Sequence, residues 1–533
     1  MLFFFSCAKI VTHNNKLEVK PKMKRKISLL LALCLIFGCL GILSSCNQEE
    51  GPDETEIGVL DVAWAKDLDF GGVTLTVSQS INVWDPATSI DNAQKFTMAT
   101  KANNADTVLN ACFERNEAVK KTINVKVHYE PTNLRFDGIA TYMMDIITQS
   151  IPIDLIINDV YGVVAATTNG YLFNLKTQKI AGKDINNYFN LDHASWYDDY
   201  MAGLTVDQDK MYGLAGHYFM DIIRSAHCLY LNTEIFEDKF AADYDDIDIF
   251  YNQVKDGEFT YDLFGELIQR AFEDRSNQGV TDKDDQLGLL MHSTTGLCPF
   301  VYSSEISVLD YSGKSVTVKP NIAAEVEAVA TAINSIMHQE GTYFYSSHNE
   351  NNLPLDTFTE GGTLFVNTLW LGHLEQSALQ GMENKAAIVY PKINEDYNYS
   401  SYVHDSAEIG YIPTTCQNFE AVSAYVQLLN EQSTSIIDAY FENQLKYKYN
   451  TADSTAAIEM LDIINETIGS PAYQFIEGPE LVKEASGATT LFQCISNAVN
   501  EGNPTNAATK YTASLTAYET GLNNLKQKFA VLP

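Results

Sequence analysis

The sequence predicts an α/β protein in which helices cover a parallel sheet. Three observations carry this: short runs that alternate apolar and polar residues, amphipathic stretches at helical spacing between them, and a strict strand–helix order over residues 71–160. GGVTLTVSQ (71–79) alternates as a strand behind a Gly-Gly turn. ADTVLNACFERNEAVKKT (105–122) sets Val108, Leu109, Cys112, Phe113 and Val119 near one helical face, with Asp106 as the cap. INVKVHYE (123–130) alternates again, TYMMDIITQS is helical, and IDLIINDV (153–160) is a continuous apolar run ending in polar residues, as expected of a fully buried strand. In open sheets of this kind ligands bind beyond the carboxyl ends of the strands, which directs attention to Asn158, Asp159 and Tyr161.

The pattern continues downstream. Residues 224–240 hold a strand leading into a polar turn, and 257–275 a helix capped by Thr260 with Leu263, Leu267, Ile268 and Phe272 on one face. A Gly-Gly turn, a strand and a helix start occupy 358–376, and NKAAIVYPKI (384–393) is a strand stopped by Pro391. From about Asn418 onward the chain is nearly all amphipathic helix.

The first 56 residues follow different rules. Lys24, Arg25 and Lys26 precede an apolar run, Ile27 to Leu43, which ends in two serines and Cys46. A basic head and a short apolar body are the layout of an export signal, and Met23 is its natural start. The run is short for a membrane span and lacks basic flanking on its far side. Residues 47–56 are polar and acidic, as expected of a disordered tether.

Residues 1–45 contain seven of the 35 Lys and Arg and one of the 69 Asp and Glu. Without them 28 basic groups face 68 acidic ones, a formal charge of −40. Such a surface repels phosphate backbones and anionic lipid, which excludes nucleic acid as a partner. The remaining length suffices for two lobes. Past Cys46 the cysteines are Cys112, Cys228, Cys298, Cys416 and Cys494, odd in number and without metal spacing, so buried free thiols are expected. Tyrosine (29) outnumbers phenylalanine (26), a hint of polyhydroxylated ligands.

Leu43-Ser44-Ser45-Cys46 resembles the lipobox of bacterial lipoproteins, which implies cleavage before Cys46 and lipid on its sulfur. Five stretches, VLNACFERNEAVKKTINVKVHYE, IDLIINDVYGVVAATTNGYLFNL, DKMYGLAGHYFMDIIRSAHCLYLNTEIFE, GEFTYDLFGEL and FTEGGTLFVNTLW, taken in order over residues 60–440, resemble the carbohydrate-binding extracellular solute-binding proteins of ABC importers. Ala215 stands where that group usually has proline, and Phe259 where it has tryptophan. The resemblance implies a two-lobe periplasmic-binding-protein-like α/β fold with discontinuous lobes joined by hinge strands. Lobe one falls at 57–168 and 385–432, lobe two at 169–384 and 433–533. It also implies a lipid-anchored monomer on the extracytoplasmic face of the cell membrane, which passes a mono- or oligosaccharide to a permease without altering it.

Sugars offer apolar ring faces and paired hydroxyls, so a site needs flat aromatics beside carboxylate or amide groups. Asp159 and Trp370 match ligand-binding positions of the family; their bland alternatives are a capping carboxylate and a core tryptophan. Trp84 and Asp85 follow the first strand, Tyr161 stands at the end of the buried strand, Trp196 lies near the crossing between lobes, and with Arg224 these are further candidates. DRSNQGVTDKDD (274–285) places Asp274, Asp282 and Asp285 at calcium-ligand positions of an EF-hand loop, with Gly279 at the sixth. Ser276 and Gln278 are poor in charge, so an acidic surface loop is the favoured reading; no cofactor other than calcium is suggested. A lipid-tethered glycan-active enzyme and a ligand sensor for a membrane signalling partner are the rival functions. No nucleophile-elbow, zincin or P-loop pattern supports catalysis.

Overall fold

The computed structural model describes residues 57–80, 99, 106–132, 137–293, 295–345, 353–442, 455–483 and 487–532. The chain divides at Ile57 into two units, and every described helix and strand lies in the second, Gly58–Pro533. Cys46, the apolar run before it, the tether, Trp84 and Asp85 lie outside the described residues. No described helix is long and apolar enough to cross a membrane.

The first sheet grows from the strand–helix order of the sequence. Gly71 and Gly72 take φ of +64° and +73°, a left-handed pair that only glycine adopts cheaply, and β1 (Val73–Ser80) follows. Helix α1 (Thr107–Thr122) starts at Asp106, whose carboxylate accepts the Leu109 N–H at 2.9 Å. Strand β2 is Val125–Thr132, α2 is Asp137–Gln149 and β3 is Leu155–Asp159, buried along its whole length. Both β2 and β3 run parallel to β1.

The second sheet comprises β4 (Leu229–Asn232), β5 (Leu287–His292), β6 (Thr342–Tyr345), β7 (Thr363–Val366) and β8 (Lys385–Ile388), in spatial order β6-β5-β7-β4-β8. Only β4 runs against its neighbours. Helix α3 (Tyr261–Ala271) is capped by Thr260 as expected; Tyr261, Phe264 and Ala271 join Leu267 and Ile268 in the core, while Phe272 lies past the helix end. The chain then returns as β9 (Glu408–Tyr411), antiparallel to β3, giving the first sheet the order β9-β3-β1-β2. Helix α4 (Phe419–Glu431) packs on α1. Of the later helices, α5 (Thr455–Glu466) lies on β8 and α6 (Thr505–Ala530) closes the chain.

Two segments run side by side between the sheets. The His227 N–H donates to the Tyr402 carbonyl at 2.7 Å and the His404 N–H to the Ser225 carbonyl at 2.9 Å, with Ala226 and Val403 paired antiparallel. A third connection leaves α4 and leads to α5.

This pairing divides the lobes differently from the sequence in two places. Residues 385–388 belong to the second sheet, where every residue of β8 pairs with β4. Both ends of the stretch 172–214 are bound beside the first sheet: Phe173 N–H donates to Ile412 O at 2.8 Å, and Leu214 pairs with Gly410. A strand's own alternation does not say which sheet it joins, and no compositional break marks either point. The five cysteines past residue 46 are free; Cys298 is half-buried and the others buried.

Candidate functional site

The carboxyl ends of β1 and β3 meet the start of β9 in a run of buried polar residues: Gln79, Ser80, Asn158, Asp159 and Glu408. Gln79 Nε2 donates to Glu408 Oε2 at 3.3 Å, and Asp221 Oδ2 accepts the Glu408 N–H at 2.8 Å. Gln79 Oε1, Ser80 Oγ and Asn158 Nδ2 are buried without a partner among the described residues. A buried amide or hydroxyl with no partner costs about 1–3 kcal/mol, so these strand-end atoms are free to bond an external polar group.

Asp159 is 3 % exposed, and its Oδ1 accepts the Tyr161 N–H at 3.1 Å, capping the single turn 160–162. The capping role open to it from the sequence is therefore realised. Beside it Tyr161 is 45 % exposed.

On the second sheet the chain leaves β7 through Asn367, Thr368 and Trp370. The Trp370 indole is half-buried and surrounded by three imidazoles, with ring centroids at 4.1 Å (His373), 4.9 Å (His404) and 5.6 Å (His227). His227 stacks on Tyr402 at 4.8 Å and on His404 at 5.6 Å. Tyr402 meets Tyr302 at 5.0 Å, and Tyr302 stacks on Tyr473 at 4.6 Å and 13°. A continuous aromatic floor thus runs from Trp370 along the crossing segments to Tyr473. Burial, with His404 and His373 nearby, holds His227 well below the usual imidazole range, so it is neutral.

Behind this floor lies a buried ion network. Arg224 is 1 % exposed; its Nε and Nη2 donate to the two carboxylate oxygens of Glu375 at 2.8 and 3.2 Å, and its Nη1 lies 3.5 Å from Asp221. The Tyr440 hydroxyl donates to Glu375 at 2.6 Å. Burial alone would lower the guanidinium's pKa, but Glu375, Tyr440 and Asp221 more than reverse it. Arg224 is thus committed to fastening the crossing. Trp196 is committed to packing: it is 4 % exposed, and its indole N–H donates to Gln427 at 3.2 Å.

The acidic loop 274–285 is held by its own backbone. Asp274 accepts the N–H groups of Gln278 and Gly279 at 3.2 and 3.1 Å, and Asp285 those of Ser276 and Asp282 at 3.0 and 2.8 Å. Gly279 takes φ +70°. Burial works against the Asp285 carboxylate, and those N–H groups together pull its pKa below the ordinary value. Among the described residues no group of three His, Cys, Asp or Glu is placed to hold a metal.

Sequence reasoning does not single out His227, Tyr302, Tyr402, His404 or Tyr473. They come from four distant segments, and only His227 lies in one of the five family-like stretches. A cavity of ≈ 350 Å³ lined by Lys176, Asp199, Gln208, Lys210, Tyr311 and Ser470 opens nearby. Its lysines are spent on carbonyls of Gln208, Phe529 and Leu532.

Comparison with solved structures fixes the architecture. The galacto-N-biose/lacto-N-biose I-binding protein of an ABC transporter from Bifidobacterium longum, in complex with lacto-N-biose, aligns with a TM-score of 0.52. Identity is 10 %, over 87 % of this chain and 99 % of that one. The chain has the two-lobe fold of a solute-binding protein. A cyclo/maltodextrin-binding protein complexed with maltotetraose aligns at a TM-score of 0.49 and 13 % identity, over 86 % of this chain and 97 % of that one. The GacH receptor of Streptomyces glaucescens aligns at 0.45 and 14 %, over 87 % and 100 %. No family profile matches the sequence, and no curated protein matches it. In this two-lobe fold the paired segments 225–227 and 402–404 are hinge strands; His227, Tyr402 and His404 of the floor lie on them, and Trp370, Tyr302 and Tyr473 join from other segments.

Proposed function

We propose that the protein is an extracytoplasmic receptor that closes two lobes on a carbohydrate and delivers it unaltered to the membrane permease of an ABC importer. The single observation that supports this best is the aromatic floor on the hinge strands. A ligand stacked on Trp370, just past the second sheet, also lies against His227 and His404 of the hinge, so binding is coupled to how the two lobes close. Tyr161, exposed at the end of β3, presents a second ring, and the Asp159 carboxylate and Asn158 amide supply polar contacts. The Cys46 sulfur, acylated after cleavage, holds the monomer at the membrane surface.

Thermal unfolding against a panel of mono- and oligosaccharides tests the reading. A bound sugar raises the melting temperature by mass action, Trp370→Ala reduces that rise strongly, and chromatography finds the sugar intact. Recovery of cleaved products points to an enzyme instead, and a shift that survives both Trp370→Ala and Asp159→Ala removes the cleft assignment. The anchor is tested apart: Cys46→Ala should release the protein from the membrane fraction, and retention refutes the lipid.

A further inference from the structure

Helix α6 touches both lobes. Along most of its length it lies on the second, packed on the helices Ala323–Met337 and Leu491–Asn500. There the Tyr511 hydroxyl donates to the Lys319 carbonyl, and Lys526 Nζ donates to Ser315 Oγ at 2.8 Å. Its last turn reaches the first lobe. Lys210 Nζ donates to the Phe529 and Leu532 carbonyls at 2.7 and 2.6 Å. The Phe529 ring meets Tyr212 edge to face at 6.0 Å, and both side chains are buried. Gly170, past the helix Val163–Thr168, backs onto Leu532: a Cβ added there would stand 3.6 Å from Leu532 Cδ2. Lys210 and Tyr212 are tied to the first lobe, because the Met211 carbonyl between them accepts the Leu175 N–H at 2.7 Å and Leu214 pairs with Gly410 of β9.

The last carbonyls of a helix lack helical partners, and a cation beside them also meets the negative end of the helix dipole. In α6 that cation comes from the other lobe, so the cap lasts only while the lobes keep this angle. Asp207 lies 3.7 Å from the same ammonium, so Lys210 keeps an ionic contact when the helix end leaves. The seam around this contact is loosely filled. A cavity of ≈ 350 Å³ has Asp199, Gly203 and Gln208 of the first lobe and Tyr311 of the second in its walls. A seam built to be rigid would be filled to the density of a protein interior. Here the lobes meet at points: Gln208 Nε2 donates to the Tyr311 carbonyl at 2.5 Å, and the Tyr197 hydroxyl to Asn465 Oδ1 at 2.7 Å.

We propose that the last turn of α6 is a latch: gripped by Lys210 and Tyr212, it holds the two lobes at the angle seen here, and the lobes turn on the hinge strands only when it lets go. The inference rests on the two-lobe fold and is independent of which solute binds.

Hydrogen exchange on the full chain without ligand tests it. Lys210→Met keeps the aliphatic stem and removes the cap. The hinge segments 225–227 and 402–404 should then exchange roughly threefold faster or more, as should 529–532, while β5 in the second sheet keeps its rates. Lys210→Arg, which still donates to carbonyls, should restore most of the protection. Lys526→Met removes a contact of the same helix that lies wholly within the second lobe, and should leave the hinge unchanged. Phe529→Leu, which takes the ring away from Tyr212, repeats the test where Lys210→Met fails to fold. Faster exchange confined to 208–212 and 529–532 makes the contact a local one and overturns the latch. Faster exchange that includes β5 reports general loosening and overturns it equally. Since no ligand is added, either failure leaves the carbohydrate-receptor reading standing.

Discussion

Replacing Glu375 by glutamine probes the ion network behind the hinge. At about 3 Å and an effective dielectric constant near 20, one unit pair is worth roughly 5 kcal/mol, and breaking a buried pair typically costs about 3–5 kcal/mol. Asp221 remains 3.5 Å from Arg224 Nη1 and cushions the loss, so about 3 kcal/mol is expected. Spread over roughly 470 residues at about 2.1 cal/mol/K each, the unfolding entropy is near 1 kcal/mol/K, and the melting temperature should fall by about 3 °C.

A melting shift alone does not distinguish a hinge fastener from any buried pair; a double-mutant cycle and hydrogen exchange do. Arg224→Met alone strands two carboxylates, Glu375 and Asp221, in a buried site, whereas Arg224→Met with Glu375→Gln removes both charges of the principal pair. The double variant should be more stable than the sum of the single losses predicts by about 2 kcal/mol or more. In Glu375→Gln the His227 and His404 amides, which bind the hinge strands to each other, should exchange faster, while those of β5 in the second sheet keep their rates. Losses additive to within about 0.5 kcal/mol, or unchanged exchange at the hinge, refute the reasoning.

Three other outcomes rest on single side chains. His217 is lowered to about 4 by burial and by His193, and burial with His404 and His373 also holds His227 well below the usual imidazole range. Imidazoles depressed in the folded state contribute stability that is whole above about pH 6.5 and is lost as pH falls from there toward 4. Urea midpoints should drop over that window, and His217→Phe should flatten the drop. Lys385 is fully buried in β8, and burial lowers its pKa to about 8; Lys385→Met should raise the melting temperature at pH 7, with the gain shrinking from about pH 8 towards 10 as the wild-type lysine is already neutral. An added Cβ at Gly521 in α6 would stand 2.1 Å from the Leu481 carbonyl oxygen. Backbone lines both sides of that contact, so Gly521→Ala should cost about 3 kcal/mol or more, read from the denaturation midpoint.

Much of the fold was legible because local rules and tertiary demands coincide. Asp106, Thr260 and the Gly71–Gly72 pair do what their types require wherever they stand. The apolar run before Asp159 became a strand buried on every residue, parallel to β1 on one side and antiparallel to β9 on the other. On α1 the same logic stopped short: Arg115 and Asn116 are buried beside the apolar stripe because Arg115 reaches across to the Tyr218 carbonyl and the Ser433 hydroxyl. Periodicity counts apolar residues and is blind to a charge whose partners lie more than a hundred residues away.

The site was legible in proportion to how local its parts are. Trp370 and Asp159 each sit at the end of their own strand, where a rule of the fold class points; the remaining floor is a meeting of segments. Tyr302, Tyr402 and Tyr473 are each unremarkable among 29 tyrosines, and their stacking exists only once two sheets and a C-terminal helical region have closed around the hinge. Arg224 reversed its apparent role for the same reason: beside the hinge it looks like a ligand contact until Glu375, 151 residues later, is seen to take both of its forked donors. In this architecture the candidate ligand contacts named from the sequence stand at strand ends, and the aromatic floor gathers at the crossings. A strand end carries its signature in a few consecutive residues, whereas a crossing is defined by partners that the chain brings together only by returning. Sequence reasoning therefore finds the mouth of such a site before it finds the hinge.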